Sequence, residues 1–271
     1  MADTVRYGLV LWTGGLHGVS EAVALGIAAE KAGWDGVFVP DELSAGYSDP
    51  WTVLSAIAQE TTGIGLGTWI TPLPHQQPWR VAHSAAAVDR LSGGRLILGV
   101  GLGAPTEHST FGGSYEPRML GRKYDEALEV MVGLWSGQPF SYSGEFFDLE
   151  EAALAVTPVQ QPRIPILMGC WWPNKKPFER AAQWDGIMPF WPALVQDGHG
   201  PQGEAASGDV EEELRALMTY YDSLIDHPGE VVIPDRPEPR YRQLAIELGA
   251  TWLLTIEATD LDDVERGPTR I

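Results

Sequence analysis

Short apolar runs alternate with longer amphipathic segments along most of the chain. The runs place hydrophobic side chains at neighbouring positions, which is typical of strands buried on both faces of a parallel sheet. Strands are predicted at residues 6–12, 36–41, 64–71, 95–103, 164–170, 186–191, 230–234 and 251–258. The pattern therefore predicts eight strands that run in the same direction.

The intervening segments repeat apolar residues every three to four positions, which predicts amphipathic helices. Helices are predicted at residues 19–33, 49–63, 77–94, 122–137, 174–184, 209–226 and 239–250. Asp49 is a predicted N-cap before Pro50, and Gly33 is a predicted helix end. Strands and helices that alternate in this way over 271 residues predict an α/β fold, a single TIM-like (β/α)8 barrel domain spanning residues 1–271.

Two stretches interrupt the alternation. Residues 138–163, after the fourth strand, read as an insertion with a hairpin around Ser143 and Gly144. Residues 196–209, after the sixth strand, read as a mobile loop. The alternative fold, an open doubly wound sheet, requires a G-x-G-x-x-G turn after the first strand. The turn found there, "WTGGLHG", does not match, so the closed barrel is favoured.

The charge balance limits the classes of partner. The chain has 18 Lys and Arg against 37 Asp and Glu, a formal net charge of −19. Such a surface repels nucleic-acid phosphates and anionic lipid, so neither nucleic acid nor membrane is an expected partner. The 16 acidic and 6 Arg residues from Glu204 onward are typical of a solvated acidic face.

Cysteine usage and hydropathy point to the cytoplasm. Cys170 is the one cysteine, so an intramolecular disulfide is impossible and a reducing compartment is expected. The N-terminal residues do not match a signal peptide. No stretch reaches the roughly 18 apolar residues that a membrane-spanning helix needs.

Candidate chemistry lies where the predicted strands end, because barrel enzymes place their active sites at the C-terminal ends of the strands. Asp41 and Glu42 directly follow the second predicted strand. The other strand ends carry mainly aromatic and glycine residues: Trp12, Trp69, Ile70, Thr71, Gly101, Leu102, Gly103, Gly169, Cys170, Trp171, Trp172, Phe190 and Trp191. Aromatic walls suit a large planar ligand, and glycines allow a ring or a phosphate to approach the main chain.

Several of these segments resemble the bacterial luciferase-like flavin-dependent oxidoreductases. The most specific is "DRLSGGRLILGVGLG", and the ordered set also includes "AAEKAGWDGVFVPDE", "SAIAQETTGIGLGTWITPLP", "RKYDEALEVMVGLWSG", "PRIPILMGC" and "FERAAQWDGIMP". The match is good over residues 6 to about 191 and is limited to spacing beyond them. The resemblance implies a TIM-like barrel with an insertion, a homodimer, and either FMN or the deazaflavin coenzyme F-420 bound at the strand ends.

The resemblance also implies a set of cofactor contacts. The ring is expected against Thr68, Trp69 and Ile70, with a non-proline cis peptide at Trp69–Ile70. The remaining contacts implied for the cofactor are Gly101, Leu102, Gly103, Glu107 and Met168. The phosphate end is expected at the main-chain N–H groups of Gly169, Cys170 and Trp171, with charge from Lys175 and Lys176. A small organic substrate is expected near Trp12, Trp51 and Trp191.

The chain departs from the family pattern at three positions. Many deazaflavin-using relatives carry Asp-His after the second strand, where this chain has Asp41 and Glu42. Some carry a carboxylate just after the strand-four glycines, where this chain has Ala104, with Glu107 the nearest substitute. The frequent Gly-Gly after the fifth strand is replaced by Gly169-Cys170. These departures leave the choice of cofactor open.

Four functional interpretations follow. The favoured one is F-420-dependent hydride transfer, with Glu42 preferred over Asp41 as the acid or base for the substrate oxygen. The alternative is an FMN-dependent monooxygenase that uses O₂ and needs a separate flavin reductase. A third is a non-catalytic flavin-binding protein.

The fourth interpretation, a metal-dependent hydrolase, would draw on His75, His83 and His108. It is disfavoured because no H-x-H or H-E-x-x-H spacing is present, and no metal site is predicted. Cys170 is likewise not favoured as a nucleophile, because the sequence pairs it with no base.

Overall fold

The eight predicted strands form a closed parallel barrel. A computed structural model describes residues 5–13, 18–192, 209–226, 229–256 and 261–270. Its strands are β1 (Arg6–Val10), β2 (Gly36–Val39), β3 (Gly65–Thr68), β4 (Thr71–Pro72), β5 (Leu96–Gly101), β6 (Phe140–Ser143), β7 (Asp148–Ala152), β8 (Ile166–Trp171), β9 (Gly186–Phe190), β10 (Glu230–Pro234) and β11 (Trp252–Thr255). Neighbours follow the order β3-β2-β1-β11-β10-β9-β8-β5, and pairing of β3 with β5 closes the barrel. The predicted TIM-like fold is confirmed.

The helices surround this barrel. They are α1 (Val19–Ala32), α2 (Pro50–Glu60), α3 (Pro78–Ser92), α4 (Pro105–Thr110), α5 (Pro117–Trp135), α6 (Lys175–Ala181), α7 (Val210–Asp222), α8 (Pro239–Glu247) and α9 (Leu261–Glu265), with 3-10 turns η1 (Leu43–Ala45) and η2 (Leu73–His75). Asp49 caps α2 by accepting a 2.8 Å hydrogen bond from the N–H of Thr52. Gly33 ends α1 in the left-handed conformation. Both local predictions are confirmed.

The structure corrects the predicted elements in three ways: one helix starts earlier, two short helices were missed and one strand is divided. Helix α5 begins at Pro117, five residues before the predicted start, because proline suits the first turn, where no N–H is needed. Helices α4 and α9 were missed because five or six residues are too few to show a 3.6-residue period. The third predicted strand is divided into β3 and β4, with a cis peptide at Trp69–Ile70 between them.

Two apolar clusters lie on either side of the barrel wall. Within β2, Val37 and Val39 pack into the larger cluster, which fills the layer between strands and helices. Phe38 between them points into the smaller cluster, which fills the barrel interior. The interior cluster consists of Val10, Phe38, Trp69, Leu167, Met188, Val232, Trp252 and Leu254. Alternation of side chains along each strand thus separates the two layers.

The N-terminal end of the barrel is closed by large side chains. The guanidinium of Arg6 lies 4.4 Å from the ring centroid of Trp252 and pairs with the carboxylate of Glu230. Phe38 lies so close to the neighbouring strand that a Cβ on Gly67 would be 2.3 Å from its ring. These side chains leave little room for a ligand at this end, so a binding site is expected at the opposite end, where strands lead into helices.

The insertion after β5 and α5 contains the antiparallel hairpin of β6 and β7. It is attached to α5 because the carboxylate of Glu126 accepts hydrogen bonds from the N–H groups of Glu145 and Phe146, at 2.7 and 2.9 Å. The segment predicted as a mobile loop, residues 196–209, lies outside the described residues except for Asp209. Within the described ranges, no helix combines the length and apolarity that crossing a bilayer demands.

Candidate active site at the barrel mouth

Two buried carboxyl groups and a buried hydroxyl meet at the C-terminal end of the barrel. Asp41, after β2, is 8% exposed, and its Oδ2 atom has no hydrogen-bond partner. Glu107, in α4, is 3% exposed; its Oε1 accepts a 3.2 Å hydrogen bond from the N–H of Leu43, whereas Oε2 has no partner. Thr71 is fully buried, and its hydroxyl is also unpartnered. Because such groups are costly to bury, these three are the polar atoms left for a ligand.

The environment of Asp41 favours its protonated form. Burial raises the pKa of Asp41 to about 7. The nearby hydroxyl of Thr71 opposes this rise in pKa in part, although it forms no hydrogen bond of ordinary geometry, and the charges of Asp49 and Glu107 add to the rise. Burial likewise raises the pKa of Glu107, against the hydrogen bond from Leu43. Asp41 therefore exchanges a proton near neutral pH, as a general acid or base must.

Glu42 occupies a different environment from its neighbour. It is only half-buried, and its Oε1 accepts a 2.8 Å hydrogen bond from the hydroxyl of Ser44. The fold thus places one carboxyl of the adjacent pair inside the mouth and the other at its edge. The sequence alone favoured Glu42 for proton transfer. In the structure it is Asp41 that is buried and has an unpartnered oxygen, so Asp41 is the better candidate.

An aromatic wall stands beside these carboxyls. The rings of Trp69 and Phe190 lie 4.9 Å apart between centroids and are tilted by 54°. Trp12, at the end of β1, donates a 2.6 Å hydrogen bond from Nε1 to the carbonyl of Ile256 and lies 5.6 Å from the ring of Tyr47. The cis peptide expected at Trp69–Ile70 is present. The wall is mostly apolar and suits a flat ring.

The side chain of Ile70 occupies the space beside the glycines at the ends of β5 and β8. A Cβ on Gly169 would lie 2.2 Å from Cδ1 of Ile70, and one on Gly101 would lie 3.5 Å away. The side chain of Ile70 therefore packs directly onto the backbone at Gly169 and Gly101. Glycine at position 169 makes room for this side chain, whereas a Cβ at position 101 would be in ordinary van der Waals contact with it. Thr68 fixes the same region, because its hydroxyl donates a 2.7 Å hydrogen bond to the carbonyl of Gly99.

Other predicted contacts point away from the mouth. Met168, Cys170 and Trp191 are buried in the layer between barrel and helices, and Trp51 packs against that layer from α2. Burial raises the pKa of the Cys170 thiol, which makes it unreactive. The indole Nε1 of Trp191 is buried without a partner.

The expected phosphate-binding loop begins later than predicted. Gly169, Cys170 and Trp171 belong to strand β8 and are aligned with β9, with Trp171 opposite Phe190. The loop into α6 begins only at Trp172.

A stacked histidine pair supports the chain after β5. The rings of His75 and His108 lie 3.5 Å apart between centroids. Nε2 of His108 donates a 3.0 Å hydrogen bond to the carbonyl of Leu102, and His75 lies where a Cβ on Gly103 would come within 3.2 Å of its ring. Burial, followed by the charges of His108 and Lys123, lowers the pKa of His75 to about 4, so the ring is neutral at pH 7. The sequence suggested these histidines only as metal ligands, because nothing in it indicates that residues 33 apart would stack.

Comparison with known proteins identifies the family. The model of the luciferase-like monooxygenase family matches residues 8–190. Among curated proteins, 4-hydroxyprotoasukamycin monooxygenase of Streptomyces nodosus subsp. asukaensis is 32% identical over 141 residues, 51% of this chain and 38% of that protein. F420-dependent hydroxymycolic acid dehydrogenase of Mycobacterium tuberculosis is 33% identical over 156 residues, 52% of this chain and 42% of that protein. The chain thus spans less than half the length of these two relatives.

A solved structure extends the likeness in fold to nearly the whole chain. The coenzyme F420-dependent tetrahydromethanopterin reductase of Methanopyrus kandleri superposes with a TM-score of 0.75 at 15% identity, covering 97% of both chains. At this identity the superposition shows the fold, whereas the family model rests on the sequence itself. Because that model matches more than half of the residues, the chain belongs to the luciferase-like monooxygenase family.

Proposed function

We propose that this protein is an oxidoreductase that binds coenzyme F-420 at the barrel mouth and oxidises or reduces a carbon–oxygen group of a small organic substrate. The observation that carries the proposal is the buried carboxyl of Asp41, which has one unpartnered oxygen and a pKa of about 7. When bound, the deazaflavin supplies the hydride donor or acceptor. Asp41 supplies the matching proton at the substrate oxygen.

The proton role follows from the surroundings of Asp41. A general acid or base works best when its pKa is close to the working pH, because both protonation states are then populated. In the protonated state Asp41 donates a proton to an alkoxide as it forms, and in the ionised state it accepts a proton from an alcohol. Glu107 and Thr71 keep the site polar, and Glu107 disfavours ionisation of Asp41 through its own charge.

The residues present fit a flat cofactor with an anionic end. Trp69, Ile70 and Phe190 offer an apolar surface for the ring. Lys175 and Lys176, at the start of α6, are the cations closest in sequence to the end of β8. Lys176 pairs with Glu179, and the Nζ atom of Lys175 lies 4.9 Å from the ring centroid of Tyr220. These two lysines are the expected partners of the anionic end of the cofactor.

The mycobacterial relative, which is named as F420-dependent, supports the choice of F-420. The Streptomyces relative is a monooxygenase and favours a second function, FMN-dependent oxygenation with a separate flavin reductase. In that case the aromatic wall keeps the reacting flavin away from water. We further propose that the chain forms one domain, assembles as a homodimer and acts in the cytoplasm; analytical ultracentrifugation tests the homodimer.

The test is a fluorescence titration of the purified protein with F-420 and with FMN, each oxidised and reduced. We expect tight binding of F-420 and weak binding of FMN. An Asp41→Asn variant is expected to bind F-420 normally but to lose the pH dependence of cofactor reduction. Tight binding of reduced FMN alone would establish the second function, and binding of neither would overturn both.

A further inference from the structure

We propose that the substrate is uncharged and largely apolar, and that the part of the barrel mouth left open beside the cofactor excludes carboxylated or phosphorylated substrates. The inference rests on the proposed function and deepens it by naming the class of substrate. Three observations carry it: the charge of the connections that surround the mouth, the arrangement of the cations near it, and the apolar rim.

The connections from strand to helix are far more acidic than the protein as a whole. Within the described residues, these are the segments 11–13, 40–49, 69–77, 102–116, 172–174, 191–192 and 235–238, together with Gly18, Asp209 and Ile256. They contain eight Asp and Glu against one basic residue, Arg236. The whole chain has 37 acidic and 18 basic residues, a ratio of about two to one. The excess at this end disfavours approach of an anion.

Two cations near the described part of the mouth are already engaged. Lys123 donates a 2.7 Å hydrogen bond from Nζ to the carbonyl of Pro74. Arg242 pairs with Asp235.

Arg236 lies in a cleft that is also lined by Asp209, Glu211 and Glu238. Lys175 and Lys176 are assigned to the anionic end of the cofactor. Inside the mouth, the unpartnered atoms are carboxyl or hydroxyl oxygens of Asp41, Glu107 and Thr71, which suit an alcohol or a carbonyl group.

The rim of the mouth is apolar where it meets water. Leu43 is 59% exposed and Phe111 is 57% exposed, and they rank among the most exposed large apolar side chains in the described ranges. Leu43 belongs to η1 and Phe111 ends α4, and these two elements pack together. Leu43 is also tied to the buried carboxyl, because its N–H donates to Glu107. An apolar substrate would cover these side chains while its oxygen reaches Asp41.

The magnitude of the charge effect makes the proposal testable. One carboxylate on a ligand about 12 Å from one ionised side chain costs about ten-fold in affinity at the effective dielectric constant of a protein surface. The penalty shrinks with added salt, since exposed charges are screened over about 10 Å at 0.1 M ionic strength. A purely steric preference would not depend on salt.

The experiment uses the holoenzyme with F-420 bound and three matched ligands. These are benzyl alcohol, 4-(hydroxymethyl)benzoate and 4-(aminomethyl)benzyl alcohol, whose binding is followed by quenching of the cofactor fluorescence. We expect benzyl alcohol to bind at least about ten-fold more tightly than the carboxylate at low salt, and the ratio to fall at 0.2 M salt. The ammonium compound is attracted by the acidic connections, but desolvating its charge beside the apolar rim costs more than that attraction returns, so we expect it to bind no more tightly than benzyl alcohol.

Rim variants separate this inference from the proposed function. Leu43→Lys and Phe111→Lys are expected to improve binding of the carboxylate several-fold relative to benzyl alcohol. The matched control is Leu91→Lys, which alters a 46% exposed side chain near the end of α3, where the chain leads into the start of β5 and not into the mouth.

Equal or tighter binding of the carboxylate by the original protein would overturn the inference. So would tightest binding of the ammonium compound, or an unchanged ratio in both rim variants. Failure of F-420 itself to bind would instead overturn the proposed function.

Discussion

Two buried aspartates occupy equivalent places in the barrel but have opposite surroundings. Asp41 follows β2, and Asp235 follows β10. The side chain of Asp235 is 4% exposed, and its two oxygens accept hydrogen bonds of 2.8 and 2.6 Å from Nε and Nη2 of Arg242. Burial raises the pKa of Asp235, and Arg242 opposes that rise in pKa. Within the described residues, the groups that shift the pKa of Asp41 include no cation.

The difference arises from the helix that follows each strand. After β10, α8 supplies the Arg242 guanidinium, and its bidentate geometry fixes the carboxylate in place. After β2, α2 is preceded by Asp49 and α4 supplies Glu107, so further carboxylates surround Asp41. The same position in the fold thus serves structure in one case and is available for chemistry in the other.

The largest expected effect is on activity. Asp41→Asn should lower the rate of cofactor-dependent turnover about 10²- to 10⁴-fold, because a positioned general acid or base contributes that much. Asp235→Asn should leave turnover within about three-fold, since Asp235 pairs with a protein side chain. Steady-state kinetics of both variants, with cofactor affinity as a control for folding, checks the contrast. Equal losses in the two variants would show that Asp41 has no special role.

The next effect is on stability as a function of pH. The ordinary pKa of the Asp41 carboxyl is 3.8, and its pKa in the folded protein is about 7. Between these values the folded protein holds a proton that the unfolded chain has released, so the free energy of unfolding falls as pH rises through this window. The loss is on the order of 4 kcal/mol and is complete above pH 7.

Urea unfolding at pH 4 and pH 8 measures this loss. The difference between the original protein and Asp41→Asn isolates it, because other titrating groups are common to both. Asp41→Asn should therefore be the more stable of the two at pH 8. Parallel pH curves for the two proteins would show that the carboxyl is solvated.

Breaking the buried ion pair should cost slightly less. Arg242→Met leaves Asp235 without its partner and is expected to lower the free energy of unfolding by about 3 kcal/mol. The double variant Arg242→Met/Asp235→Leu should recover most of that loss, because no uncompensated charge is left buried. Urea unfolding of the three proteins makes the comparison, and a double variant no better than the single one would assign the loss to packing.

The smallest expected effect is on the pKa of Asp41, which depends on the charges of neighbouring residues. Glu107→Gln keeps an acceptor for the N–H of Leu43 but removes a like charge, so the pKa of Asp41 should fall. The acidic limb of the pH profile of kcat/KM should then move to lower pH. Glu42→Gln is the matched control: Glu42 is half-buried, and the described surroundings do not place it among the charges that shift the pKa of Asp41. An unchanged profile in Glu107→Gln would assign that residue a purely structural role.

Local signals were sufficient for the elements of the barrel. Consecutive apolar residues indicated each strand, Asp49 and Pro50 marked the start of α2, and the charge balance limited the partners. These features depend on neighbouring residues, because side-chain periodicity and capping act within one or two turns of the chain. The resemblance to a known family added the position of the cis peptide at Trp69–Ile70.

Only the tertiary structure separated Asp41 from Glu42. The two are adjacent and chemically alike, but they lie beside elements distant in sequence, such as α4, where Glu107 accepts a hydrogen bond from Leu43, 64 positions earlier in the chain. The contact of Ile70 with Gly169 likewise appears only when β8 closes the barrel beside β5. The sequence by itself determined the elements and their order through short-range periodicity. Closure of the barrel decided which carboxyl is desolvated, because burial is a property of all the elements that surround a group.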